Sequence, residues 1–66
     1  MVRIGTEVRK ARERALLTQE ELAERASIGT ATLNRIEKHL VEPHFRTIRK
    51  LAKALGIDPA ELLPKE

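Results

Sequence analysis

The sequence predicts an all-α fold of five short helices. Three observations carry that reading. Apolar residues recur at spacings of three and four along most of the 66-residue chain. Residues that start and stop helices fall between these runs. No segment alternates apolar and polar residues as a strand would, and Leu, Ala, Glu, Arg and Lys, all good helix formers, dominate. There is no repeat and no low-complexity linker, so residues 1–66 read as a single domain.

Ile4, Val8, Ala11, Ala15 and Leu16 place the first helix from about Ile4 to Ala15. Thr18 then offers an N-cap with Glu21 three residues on, a capping box, and Leu17 and Leu22 flank it as a hydrophobic staple. The second helix therefore starts at Gln19 and buries Leu22, Ala23 and Ala26. Ser27 to Gly29 break the pattern. The third helix runs from about Thr30 to Lys38 with Leu33 and Ile36 inward, and Pro43 stops any continuation. The fourth carries Phe45, Ile48, Leu51, Ala52 and Leu55 on one face and ends at Gly56. "DPAE" opens the fifth, with Asp58 as N-cap, Pro59 at the first helical position and Glu61 at the third; Leu62 and Leu63 turn back to the core.

The expected core is Ile4, Val8, Ala11, Leu22, Ala23, Leu33, Ile36, Phe45, Ile48, Leu51, Ala52, Leu55 and Leu62. Phe45 is the only aromatic residue, so this core is aliphatic. Burying one Leu or Ile contributes roughly 1.5–3 kcal/mol before entropy is subtracted, so loss of a single core leucine matters in so small a domain. Cysteine is absent, which excludes a disulfide or thiolate zinc site. The opening "MVRIGTEVRK" has no apolar stretch long enough for a signal peptide, and no run approaches a membrane span. The expected location is cytoplasmic.

Charge is unevenly placed around a net +3. Residues 1–16 hold five basic residues against two acidic, and residues 43–57 hold four basic residues and no acid. Residues 17–27 and 58–66 are each net acidic, with three acids against one base. Separated basic segments suit a polyanion, and equally a solvated basic face. On the third helix, Thr30, Ala31, Asn34, Arg35 and Lys38 share the side opposite Leu33 and Ile36. Such groups suit base edges and phosphates; an ordinary solvated helix face would look the same.

With these residues in view, the chain resembles the helix-turn-helix domain of phage repressor and Cro proteins, over roughly Ile4 to Leu63. The resemblance rests on Arg12, "LTQEELAERA" (Leu17 to Ala26), Leu33, Ile36, Glu37, Pro43 and "LAKALG" (Leu51 to Gly56). It implies a five-helix repressor-like fold in which helices 2 and 3 form the helix-turn-helix. It implies a sequence-specific regulator of transcription, a repressor, that binds double-stranded DNA as a homodimer with helix 3 (about 30–38) in the major groove. Gln19 would contact phosphate. Thr30, Ala31 and Asn34 would face bases, with Arg35 and Lys38 on bases or phosphate. Arg12 and Glu37 would form a partly buried salt bridge of structural kind. The chain departs from the family where Leu16, Ser27 and His39 stand at sites usually held by glycine, sites that favour φ > 0 at a cost of about 1 kcal/mol to other residues. The loop His39 to Glu42 is apolar where relatives are basic, so Leu40 and Val41 either pack on the core or join a dimer contact.

Other chemistries find little support. His39, Glu42 and His44 fit no zinc spacing, and Ser27, Thr30 and Thr32 have no base beside them. There is no glycine-rich phosphate loop. The expectation is a non-enzyme without metal or cofactor. The basic amphipathic fourth helix would suit a membrane surface, but its apolar face is better used by the core. A reading from another class remains: a protein-interaction module, such as the antitoxin of a toxin–antitoxin pair, with a protein partner.

Overall fold

The computed structural model describes residues 4–63; Arg3, Lys65 and Glu66, which count in the charge pattern, lie outside the described residues, as do the ends of the expected 1–66 domain. Four α-helices, α1 (Ile4–Arg14), α2 (Gln19–Ala26), α3 (Thr30–Glu37) and α4 (Phe45–Leu55), are followed by a short 3-10 helix, Pro59–Leu62. Among the described residues there is no strand.

The starts of α2 and of the 3-10 helix follow the capping chemistry, while α3 and α4 begin at Gly29 and His44 without a side-chain cap. Thr18 Oγ1 accepts the Glu21 N–H at 3.1 Å, and Glu21 Oε1 accepts the Thr18 N–H at 2.8 Å. Asp58 Oδ1 accepts the Ala60 N–H at 2.8 Å. The fifth element, expected as an α-helix, is instead four residues of 3-10 helix. Leu63, which precedes a proline in the sequence, already has extended backbone (φ −83°, ψ 143°), the conformation that position favours.

All four α-helices end in the same turn. A residue in left-handed backbone donates its N–H three residues back, and the next residue donates five back, the Schellman pattern. The pairs are Leu16 and Leu17, Ser27 and Ile28, His39 and Leu40, and Gly56 and Ile57. The left-handed φ values are 59°, 58°, 62° and 70°, and only the last residue is glycine. The first helix therefore stops at Arg14, not Ala15, and Leu16 is spent on the corner with 89% of its surface exposed.

α2 packs on α4, α4 on the 3-10 helix, and α3 on both α1 and α2. Val8, Leu22, Leu33, Ile36, Leu51 and Leu62 are fully buried, and the small Ala23 and Ala26 are buried with them. Gly5 marks a close approach between helices that the sequence reading does not show. A Cβ there would collide with the backbone carbonyl of Ile36, so glycine lets α1 touch the end of α3.

Three core expectations fail at the edges. Phe45 is 79% exposed, because it opens α4 beside an open groove that also borders Ile4, Pro43 and Ile48. Leu55 is partly covered, not buried, and Leu63 is exposed at 40%. Leu40 and Val41 do not pack on the core either: they are 69% and 44% exposed, since the left-handed turn at His39 has already carried the chain away from the inner face of α3.

Candidate nucleic-acid interface

α2 and α3 meet at a corner of three residues, Ser27 to Gly29. Ala23 and Ala26 on α2, with Leu33 and Ile36 on α3, bury the inner faces. The outer face of α3 is thereby fixed: Thr30, Ala31, Arg35 and Lys38 are exposed and Asn34 is half-buried. Thr32, which the sequence reading weighed only as a nucleophile, is exposed as well.

Behind this face lies a chain of hydrogen bonds. Arg12 meets Glu37 through Nε to Oε2 at 2.8 Å and Nη2 to Oε1 at 3.1 Å, and its Nη1 donates to the Leu17 carbonyl at 2.9 Å. The side chains keep only 13% and 4% of their surface exposed. The hydrogen bond to Glu37 raises Arg12 above its already high ordinary pKa, against the opposing pull of burial. Glu37 Oε1 also accepts from Gln19 Nε2 at 3.0 Å, and Gln19 Oε1 accepts from Asn34 Nδ2 at 3.3 Å. Among the described residues no buried side-chain nitrogen or oxygen lacks a partner. Sequence reasoning paired Arg12 with Glu37 through the resemblance but missed the continuation to Gln19 and Asn34. Gln19 lies eighteen residues from Glu37, and the remaining acceptor capacity of the carboxylate was the only hint.

The structure brings Gln19, Asn34, Glu37 and Arg12 together and leaves Thr30, Ala31, Arg35 and Lys38 free of side-chain hydrogen bonds among the described residues. No cluster of three His, Cys, Asp or Glu residues able to hold a metal occurs among the described residues. His39 instead lies 3.2 Å from Thr6 Oγ1.

A family model described as helix-turn-helix matches residues 8–62. The chain belongs to the helix-turn-helix family. It is 32% identical over 63 residues to the immunity repressor protein of Bacillus phage phi105, covering 96% of this chain and 44% of that protein. It is equally similar, 32% over 63 residues, to the HTH-type transcriptional regulator ImmR of Bacillus subtilis strain 168, covering 96% of this chain and 50% of that one. The chain thus spans about half the length of the curated relatives it matches. The crystal structure of the restriction-modification controller protein C.AhdI from Aeromonas hydrophila superposes with a TM-score of 0.88 at 32% identity, covering 91% of each chain. These relatives bear out the resemblance to phage repressor and Cro proteins. Within the helix-turn-helix, α2 supports and α3 is presented. No helix among the described residues is long and apolar enough to cross a membrane. The apolar side of α4 is occupied by the core through Ile48, Leu51 and Ala52.

Proposed function

We propose that this helix-turn-helix chain binds double-stranded DNA at specific sequences and represses transcription, in the cytoplasm and without catalytic activity or cofactor. The observation that carries the reading is the outer face of α3, held clear of the core by buried Leu33 and Ile36 and lined by exposed Thr30, Ala31, Arg35 and Lys38. α3 lies in the major groove. Thr30, Ala31 and Asn34 face base edges, Ala31 offering only a methyl contact. Arg35 and Lys38 reach bases or phosphate. Gln19, first residue of α2, keeps one amide hydrogen beyond its bond to Glu37, and this serves a phosphate beside the positive helix end.

One eight-residue recognition helix reads few base pairs, so the unit on DNA is a homodimer on a near-palindromic site. Leu40 and Val41, exposed beyond the end of α3, are available for contact between copies.

Selection of preferred duplexes from a random pool, repeated at rising salt, tests the reading. Enrichment of a two-fold symmetric site, with affinity falling steeply as salt rises, is the expected result. No enrichment over random DNA would overturn it and favour a protein partner of the antitoxin kind.

A further inference from the structure

The hydrogen-bond chain from Arg12 to Asn34 has a fixed polarity. A carboxylate only accepts, and Glu37 takes two N–H groups from Arg12. Gln19 must therefore turn its amide nitrogen toward Glu37, at 3.0 Å. Its carbonyl oxygen is then committed to the other side, where it accepts from Asn34 Nδ2 at 3.3 Å. Asn34 in turn has its nitrogen drawn inward. An asparagine free of such ties can rotate its amide and offer either end to a base; this one cannot without breaking the chain.

We propose that Glu37 and Gln19 act as positioning residues that lock the Asn34 amide, so that Asn34 selects adenine and rejects guanine. The inference rests on the DNA-binding reading above. With Nδ2 held by Gln19, Asn34 presents Oδ1 as an acceptor and the second Nδ2 hydrogen as a donor. Adenine offers the complement in the major groove, a donor at N6 and an acceptor at N7. Guanine offers acceptors at both O6 and N7, so its O6 would face the Asn34 carbonyl. Turning the Asn34 amide to suit guanine would set its oxygen against the Gln19 carbonyl oxygen, and turning Gln19 as well would set that oxygen against the Glu37 carboxylate. The buried ion pair thus reaches the base-reading surface through two amides, without touching DNA itself.

The test compares the wild type with Asn34→Ala, Gln19→Met and Glu37→Gln by selection from random duplexes, with thermal melts to confirm folding. Gln19→Met cuts the chain while leaving Arg12 and Glu37 paired. Glu37→Gln is the second route, replacing a pure acceptor with an amide that can turn. Asn34→Ala locates the base that Asn34 reads. There, the wild type should prefer adenine to guanine by about tenfold, the size of a modest bidentate contact. Gln19→Met and Glu37→Gln should each bring that preference below about threefold while leaving preferences at other positions in place, whatever happens to overall affinity. Full adenine preference in both variants, a wild-type preference for guanine there, or no position affected by Asn34→Ala would overturn the lock and leave DNA binding standing. A wild type that enriches no site would overturn DNA binding itself, and the lock with it.

Discussion

The guanidinium of Arg12 meets the carboxylate of Glu37 through two hydrogen bonds, at 2.8 and 3.1 Å, and spends a third on the Leu17 carbonyl. One side chain therefore joins α1 to the end of α3 and to the residue before the Thr18 cap. Arg12→Met or Glu37→Leu alone leaves its partner charged and largely buried. Each should cost about 3 kcal/mol, the low end for a buried pair because Arg12 keeps some solvent contact. The double variant should lose less than the sum of the two. Urea unfolding of all four proteins measures this coupling; additive losses would show that the pair contributes nothing as a pair.

The three left-handed corners without glycine predict gains. Leu16→Gly, Ser27→Gly and His39→Gly should each raise stability by about 0.5–1 kcal/mol, the relief of side-chain strain less the added freedom of the unfolded chain. Leu16 should gain most, being 89% exposed and so giving up little packing. His39 should gain least, because it also gives up the contact with Thr6. For a domain of this size, 1 kcal/mol moves the melting temperature by about 4–8 °C, well within calorimetric resolution.

Gly5→Ala should act in the opposite direction. The added methyl meets the Ile36 backbone, not a flexible side chain, so α1 must shift away from α3. A loss of about 1–3 kcal/mol is expected in chemical denaturation.

At the DNA surface, Arg35→Ala and Gln19→Ala should separate. Arg35→Ala should weaken binding to the selected site more than to random duplex, by roughly 1–3 kcal/mol if the arginine reads guanine. Gln19→Ala should weaken binding to random duplex as well, through its lost phosphate contact, with any further loss at the selected site confined to the base that Asn34 reads. Competition binding against random DNA distinguishes them; equal losses for Arg35→Ala would assign it to the backbone.

Glu21 supplies a pH signature. The Thr18 backbone N–H, and secondarily the Thr18 hydroxyl, hold its pKa below the ordinary 4.5. A carboxylate depressed in the folded state stabilises above its unfolded value, and the contribution disappears as pH falls through the lowered folded one. Wild type should therefore exceed Glu21→Gln in urea midpoint at neutral pH, and the gap should narrow progressively below pH 4.5.

What the sequence disclosed depended on range. Thr18 with Glu21, and Asp58 with Glu61, announce helix starts because their bonds close within three residues. Buried Leu33 and Ile36 fix which side of α3 faces outward, and so made its outer residues visible as candidates. Periodicity gives direction, not cover: Phe45 points along the same side of α4 as Ile48, yet among the described residues little lies over it at the first turn. The contacts of Gly5 with Ile36 and of Gln19 with Glu37 join residues more than fifteen apart, where no local pattern exists to be read.

Glu37 also bears on how this chain could change its target over generations. A side chain that holds the fold together and steers a neighbouring amide has little freedom to drift, and residues 12, 19, 34 and 37 would need to be replaced in concert. Thr30, Ala31, Arg35 and Lys38, bound to no other side chain among the described residues, can be exchanged one at a time. New preferences would then arise first at the ends of the recognition helix, with its middle the slowest to diverge.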